Sequence, residues 1–290
     1  MSFPKETSLD ICCSSFSFRM IIKGKPLFHV RCKHLTRMTS QVQRFVLPDG
    51  VNYIGYKQRV RDVNSPGVIF CSGFLSSLNG TKACFLEDYW ERNNLSYLRF
   101  DYFGHEFSSG SLDDFSITSW KKNTLDVLDN LTEGPQIMVG SSIGGWISLL
   151  VAIERRERIH SIVGIANAAD MFYTRLSSMP QKEIDLAKNS GYFEFKSEYF
   201  EELRVPFSCL EDSSKNRVLN SEQIPISCPV RLLHGMGDNT ISYENSIQIA
   251  KKLQSNDVKV NLVKKADHRF SSSHDLKMIS ETLDELISKN

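Results

Sequence analysis

The chain has 290 residues, 41% hydrophobic and 24% charged, a balance typical of a water-soluble globular protein. Its formal net charge of +1 excludes a global electrostatic field that would attract nucleic acid or an anionic membrane. No uninterrupted apolar run reaches the length of a membrane span, so no transmembrane segment is predicted.

Residues 1–42 differ in composition from the rest of the chain. Serines and apolar residues are mixed with basic residues, which only Glu6 and Asp10 oppose. This composition is typical of an organelle transit peptide and predicts a mitochondrial (matrix) protein. The alternative is a disordered, mildly basic tail on a cytoplasmic protein. An apolar core with a small-residue cleavage site is missing, which argues against a secretory signal. The basic residues are Lys5, Arg19, Lys23, Lys25, Arg31, Lys33 and Arg37.

The seven cysteines are scattered and form no CxxC pair, which argues against a zinc site or a disulfide framework. A reducing compartment is the simpler interpretation. The cysteines are Cys12, Cys13, Cys32, Cys71, Cys84, Cys209 and Cys228.

The globular part, residues 43–290, opens with a predicted hairpin around Pro48-Asp49-Gly50. Short apolar runs then alternate with segments of helical spacing. The predicted strands cover 68–71, 97–100, 137–139 and 159–165, and helices are expected after Gly80, Ser116 and Ser142. This alternation predicts an α/β fold with a mostly parallel sheet covered by helices on both faces. The carboxyl ends of the strands should share one edge, where open sheets carry their active sites.

The pattern changes over residues 168–225, which are rich in aromatic and charged residues and show no buried strand. We interpret this segment as a helical insertion over the sheet edge, a lid, because insertions of this size are more often functional than not. The alternative is a helical excursion packed on the flank. Strands at 230–234 and 258–263 and a helix at 244–253 follow. An amphipathic helix ends the chain.

The motif Gly140-Ser141-Ser142-Ile143-Gly144 follows a predicted strand and precedes a predicted helix. This is G-x-S-x-G in a strand–turn–helix context, which predicts Ser142 as a nucleophile exposed at the tip of a sharp turn. The helix that begins there aims free N–H groups at a developing oxyanion. A glycine- and serine-rich turn without chemistry is the alternative.

A serine hydroxyl needs a base, and that base needs an orienting acid; in this fold they follow in the order serine, acid, histidine. His268 follows the last predicted strand and is the predicted base, with His274 as runner-up. Asp238 follows the preceding strand and is the predicted acid. The alternatives for the acid are Asp170, the main rival; Asp267, which adjoins the base; and Asp101, better interpreted as structural.

Two backbone N–H groups are expected to bind the oxyanion, those of Ile143, directly after the nucleophile, and Phe74, in the loop after Cys71. Cys71 is expected to be a buried structural thiol, because nothing nearby in sequence would lower its pKa.

Several longer stretches carry a family resemblance, among them Gly134-Pro135-Gln136-Ile137, Val139-Gly140-Ser141-Ser142 with Gly144-Gly145-Trp146, and Arg231-Leu232-Leu233-His234-Gly235-Met236. Further matches are Asn79-Gly80-Thr81-Lys82-Ala83, Arg99-Phe100-Asp101-Tyr102 and Asp267-His268-Arg269. They occur in the same order over residues 70–290. The chain resembles the α/β-hydrolase superfamily and, within it, the mitochondrial enzymes described as palmitoyl-protein thioesterases and acyl-glucuronide esterases.

The resemblance implies the α/β-hydrolase fold and a triad at Ser142, Asp238 and His268. It also implies a serine hydrolase that acts on S-acylated proteins or activated acyl esters, with no metal or organic cofactor. The loop Ser72-Gly73-Phe74-Leu75 departs from the family pattern, as does the lid. Two alternatives remain: a small-molecule carboxylesterase without long-chain preference, and a catalytically silent binding protein. The complete triad order disfavours the second.

Overall fold

A computed structural model describes residues 41–60, 65–93, 95–197 and 200–288 of the chain. The predicted transit peptide falls on residues outside this part, apart from 41 and 42, and it stays a prediction.

Ten strands are formed by the described residues, and eight of them build the central sheet. Their bounds are β1 Gln43–Val46, β2 Tyr53–Arg59, β3 Gly67–Cys71, β4 Tyr97–Phe100, β5 Gln136–Ser141, β6 Ile159–Ile165, β7 Tyr192–Ser197, β8 Phe200–Pro206, β9 Val230–Gly235 and β10 Val258–Val263.

Eight α-helices accompany these strands in the same part of the chain, and none is long and apolar enough to cross a membrane. They are α1 Thr81–Arg92, α2 Ile117–Leu131, α3 Ile143–Glu154, α4 Met171–Ser178, α5 Gln181–Ser190, α6 Phe207–Ser213, α7 Glu244–Lys252 and α8 Ser273–Ile287. The predicted start of α2 is confirmed, since the Ser116 hydroxyl accepts a hydrogen bond from the Ser119 N–H.

The central sheet has the order β1-β2-β4-β3-β5-β6-β9-β10, and every neighbouring pair from β4 to β10 is parallel. The opening hairpin, β1 and β2, is antiparallel, as is the pairing of β2 with β4. The chain moves from β3 to β4 on one side and then returns to place β5 on the other side. The connections that follow β3 and β4 thus lead in opposite directions along the sheet. Open α/β sheets bind ligands at such a switch point.

The core lies on both faces of the sheet because its parallel strands are buried on both sides. Alternate residues of β5 divide between the faces: Met138 points to one and Ile137 and Val139 to the other. The Met138 face is covered by α2, α3 and α7 through Trp120, Val127, Trp146, Ile147 and Ile249. The opposite face is covered by α1 and α8 through Leu86, Trp90, Ile279, Leu283 and Leu286.

Between β6 and β9 the chain leaves the sheet and forms α4, α5, the antiparallel pair β7–β8 and α6. The expectation of a purely helical insertion is therefore wrong for residues 192–206. Phe193 and Val205 lie opposite each other and are buried, while Tyr192 and Glu194 are exposed. This inside–outside alternation is short and lies among charged residues, so the sequence shows it only weakly. We call residues 168–225 the insertion below.

Candidate active site

Ser142 stands at the turn between β5 and α3. Its backbone adopts φ 56° and ψ −119°, a conformation that residues with side chains rarely take. The Ser142 N–H donates to the Ile165 carbonyl at 2.8 Å, and the Ser142 carbonyl accepts from the Ala168 N–H at 3.1 Å. The start of the insertion thus holds the strained turn in place.

Two glycines let the turn pack against its surroundings. A Cβ at Gly144 would lie 2.1 Å from the Cys71 carbonyl oxygen, and one at Gly140 would lie 2.4 Å from the Gly144 carbonyl oxygen. Both contacts are with backbone, which cannot move aside as a flexible side chain can. Glycine is therefore required at both ends of the motif for α3 to begin directly beside β3 and β5.

His268 lies in the loop after β10, and its imidazole is within hydrogen-bond distance of two groups. Its Nε2 is 3.0 Å from the Ser142 Oγ, and its Nδ1 is 2.7 Å from Oδ2 of Asp238. The Lys82 Nζ of α1 donates to the Arg269 carbonyl at 2.5 Å and so ties this loop to the body of the protein. Burial lowers the pKa of Lys82 to about 8.

Asp238 follows β9, and its side chain is fully buried. Its Oδ1 accepts from the N–H groups of Thr240 and Ile241, both at 2.8 Å. Burial alone would raise the pKa of Asp238, but hydrogen bonds from His234 and His268 outweigh it and hold the pKa well below its usual range. The carboxylate is therefore charged at neutral pH and faces His268 in a fixed orientation.

The rival acids bind backbone groups elsewhere. Asp170 accepts from the N–H groups of Val218 and Leu219, each at 2.9 Å, and so closes the end of the insertion. Asp101 accepts from the Leu78 N–H at 2.5 Å, and burial raises its pKa to about 7.

The two further candidates are Asp267, for the acid, and His274, for the base. Asp267 accepts from the Phe270 N–H at 3.1 Å, within the loop that carries the base. His274, the runner-up for the base, is exposed in the first turn of α8.

The expected oxyanion donors flank Ser142. Ile143 is the first residue of α3, and the loop of Phe74 passes close by, since a Cβ at Gly73 would lie 3.3 Å from the Ser142 Cβ. The described residues form many backbone hydrogen bonds in turns and loops. None of these is donated by the N–H of Phe74 or of Ile143. Burial raises the pKa of the Cys71 thiol, just before this loop, to about 12, so it stays protonated.

His234 is a further residue of the candidate site that its position in the sequence does not indicate. It lies on β9 with its side chain fully buried, and its Nε2 is 3.1 Å from Oδ2 of Asp238. A histidine inside an apolar strand resembles a core residue. The one signal in the sequence is its spacing of four residues from the acid.

A cavity of about 840 Å³ lies between the insertion and the loop after Asp238. Its floor is apolar, formed by Met179, Ala187 and Phe193, and Arg175 and Glu183 add charge to its lining. Its volume falls in the range of about 300–1,000 Å³ typical of ligand pockets. The remaining lining residues are Leu186, Ser190, Tyr192, Glu194, Asn239 and Thr240.

Packed aromatic rings lie between Phe193 of this cavity and the loop beside Ser142. The Phe193 ring packs against Phe172 with 6.4 Å between centroids, and Phe172 packs against Phe74 at 6.3 Å. Phe74 also contacts Phe115 at 5.2 Å. Phe172 and Phe115 are buried, so these contacts pack the loop of Phe74 against the core that carries Phe193. Within the described residues, no three His, Cys, Asp or Glu side chains are grouped so that they could hold a metal ion.

Comparisons with known proteins agree with this architecture. A family model described as the alpha/beta hydrolase fold matches residues 66–193, and one for the prolyl oligopeptidase family matches residues 133–286. The chain is 38% identical to the mitochondrial palmitoyl-protein thioesterase ABHD10 of Bos taurus over 263 residues, which cover 89% of this chain and 82% of the relative.

Two solved structures are similar over most of the chain. Mouse alpha/beta hydrolase domain-containing protein 10 superimposes with a TM-score of 0.81 at 35% identity, covering 86% of this chain and 99% of that one. A putative hydrolase from Agrobacterium vitis superimposes with a TM-score of 0.80 at 31% identity, covering 85% and 98%.

Proposed function

The chain belongs to the α/β-hydrolase family, in the group that contains the mitochondrial ABHD10 proteins, and we propose that it cleaves S-acyl thioesters and activated carboxylic esters through an acyl-enzyme on Ser142. The observation that carries the proposal is the chain of hydrogen bonds from Asp238 through His268 to Ser142. The curated relatives are named as mitochondrial, and the protein is accordingly assigned to the mitochondrion.

In the first half of the proposed reaction, the Ser142 Oγ attacks the acyl carbonyl carbon while His268 Nε2 takes the hydroxyl proton. Asp238 stabilises the charged imidazolium and holds its Nδ1–H. The tetrahedral oxyanion accepts hydrogen bonds from the Ile143 and Phe74 N–H groups, and removal of one such donor typically costs about 10²–10³ in rate. The thiol or alcohol leaves with the proton that His268 returns.

In the second half, water attacks the acyl-enzyme and His268 takes its proton. Collapse of the second tetrahedral intermediate releases the carboxylic acid and restores the Ser142 hydroxyl. Each half begins and ends with the same protonation state of His268, so one base serves both.

The long acyl group is the part of the proposal that the insertion supports. The apolar floor of the cavity suits an aliphatic chain. Each methylene buried there is worth about 0.8 kcal/mol, so a long chain would dominate binding. A palmitoyl thioester therefore suits this cavity better than an acetyl ester, and the insertion, which supplies most of the lining, acts as a lid.

The nucleophile is tested with a fluorophosphonate probe on the full chain. We expect wild-type protein to be labelled and Ser142→Ala to be neither labelled nor active, with unchanged circular dichroism. Ser141→Ala, one residue earlier, serves as the matched control and should still be labelled. Turnover of a palmitoyl thioester by Ser142→Ala would contradict the mechanism.

The substrate class is tested with acyl thioesters and acyl glucuronides of two to sixteen carbons. We expect kcat/KM to rise with chain length. A flat series, or one that favours two carbons, would instead indicate a small-molecule carboxylesterase. Lack of turnover across the panel, with no labelling of Ser142, would indicate a binding protein.

A further inference from the structure

The acid of the site faces two imidazoles. Oδ2 of Asp238 lies 2.7 Å from Nδ1 of His268 and 3.1 Å from Nε2 of His234. The other oxygen, Oδ1, already accepts two backbone N–H groups. The carboxylate therefore has four donors, and the second imidazole competes with the base for one of its oxygens.

The position of the hydrogen on His234 follows from its neighbours. Nε2 faces Oδ2 of Asp238 and also the Ile241 carbonyl oxygen, both at 3.1 Å, and these two atoms can only accept. Nε2 must therefore carry a hydrogen. Nδ1 lies 2.8 Å from the Ser246 hydroxyl of α7, and both side chains are fully buried. Ser246 thus fixes the plane of the ring from the side opposite the acid.

We propose that His234 is a positioning residue of the acid–base pair. Its Nε2–H donates a hydrogen bond to Oδ2 of Asp238, stabilises the negative charge there, and so limits how strongly that carboxylate stabilises protonated His268. This inference rests on the proposed function for its catalytic consequence. His234 lies behind the acid and acts only through it, while Ser246 sets the orientation of its ring.

If the Nε2–H of His234 is removed, His268 is the one imidazole that still interacts with Oδ2 of Asp238. The protonated base is then stabilised more strongly, because a carboxylate with fewer hydrogen bonds interacts more strongly with its remaining cation. Activity that needs an unprotonated base is consequently lost at a higher pH. The acid limb of the kcat/KM profile should move upwards, whereas loss of packing alone would lower activity equally at every pH.

The charged side chains of the neighbouring segments stay the same in the variants proposed below, so their influence cancels in the comparison. They belong to α1, to the loop of the base and to the wall of the neighbouring cavity, and they are Lys82, Asp267, Arg269, Arg175 and Glu183.

The first test reads the hydrogen directly in the wild-type protein. Long-range ¹H–¹⁵N spectra of the full chain labelled with [¹⁵N]histidine identify which ring nitrogen carries a hydrogen, with assignment by His234→Gln. We expect a hydrogen on Nε2 of His234 and on Nδ1 of His268 at pH 8. A His234 ring with no hydrogen on Nε2 would overturn the proposal, since it could not donate to Asp238.

The second test compares pH profiles of kcat/KM for a short-chain thioester. His234→Met removes the donor at similar volume, His234→Gln keeps an N–H near the position of Nε2, and Ser246→Ala releases the ring. For His234→Met we expect the acid limb to rise by about half to one pH unit, which is a three- to tenfold loss at pH values below that limb. His234→Gln should keep the wild-type limb, and Ser246→Ala should fall between them.

An unmoved acid limb in both His234→Met and Ser246→Ala would overturn the proposal, whatever the height of the plateau. If His234→Met does not fold, the Ser246→Ala profile and the wild-type spectra decide. Failure of the proposed function would be recognised separately, because Ser142→Ala would then keep its activity while the hydrogen on His234 could still be read.

Discussion

Replacing Asp238 with asparagine tests the acid at the level of single hydrogen bonds. The Thr240 and Ile241 N–H groups both donate to Oδ1, each at 2.8 Å, so the asparagine carbonyl must take that position. Its NH₂ group then replaces Oδ2 and faces His268 Nδ1. An amide NH₂ can only donate, so Nδ1 of His268 must become the acceptor. The hydrogen of His268 then moves to Nε2, beside Ser142, where it prevents transfer of the Ser142 proton.

We expect kcat to fall about 10⁴-fold, the loss seen when an acid of this type becomes an amide and its histidine takes the wrong tautomer. This corresponds to about 5.5 kcal/mol of lost transition-state stabilisation. The variant should also be less stable by about 1–3 kcal/mol, since the amide NH₂ and the Nε2–H of His234 are both donors and face each other.

The assay is steady-state hydrolysis of a palmitoyl thioester, with urea unfolding followed in parallel. Asp170→Asn is the matched control, because Asp170 also accepts two backbone N–H groups but bonds to residues 218 and 219 of the insertion and not to His268. It should lose stability while kcat stays within about threefold, as expected for a residue without contact to the reacting atoms. An Asp238→Asn kcat within tenfold of wild type would refute the reasoning, and so would an equal loss in both variants.

Three further predictions concern the turn, the cavity and a buried histidine. Gly144→Ala places a Cβ 2.1 Å from the Cys71 carbonyl oxygen, so we expect a thermal midpoint several degrees lower and almost no activity; a wild-type Tm would contradict this close packing. Ala187→Phe should fill the cavity floor and cost a sixteen-carbon substrate about three buried methylenes, roughly fiftyfold in kcat/KM, while a two-carbon thioester is unaffected; equal losses on both would exclude the cavity as the acyl site. Burial lowers the pKa of His105 to about 4 from 6.5, so the folded state resists its protonation and stability is lost as pH falls from about 6.5 to 4, by up to about 3 kcal/mol. Urea unfolding of His105→Phe should show a flatter pH dependence over that window, and an unchanged slope would count against His105 as its source.

Much of the sheet could be predicted from the sequence because its signals are local. The alternating segment at 258–263 forms β10 with the same bounds, and the turn at Pro48-Asp49-Gly50 joins β1 and β2. The motif around Ser142 combines an apolar run, closely spaced glycines and a helical pattern, all within about twenty residues. Such features need no knowledge of distant contacts.

The rest depended on contacts between distant segments. The pair β7–β8 is stabilised by burying Phe193 and Val205, and an alternation this short among charged residues is ambiguous. Asp170 and Asp238 both follow parallel strands, so spacing alone could not separate them. Only the fold shows that Asp170 binds the N–H groups of residues 218 and 219 and that Asp238 binds His268. His234 was missed because an isolated buried histidine is typical of a core.

The positive φ of Ser142 bears on how this chain could evolve. Residues with a side chain adopt such a conformation at a cost of about 1–3 kcal/mol, whereas glycine adopts it readily. Selection for folding alone would thus favour losing the hydroxyl that we propose as the nucleophile. In a duplicated gene copy no longer under selection for catalysis, position 142 should change to glycine while the surrounding close contacts are kept. The product would be a more stable but catalytically inactive paralogue.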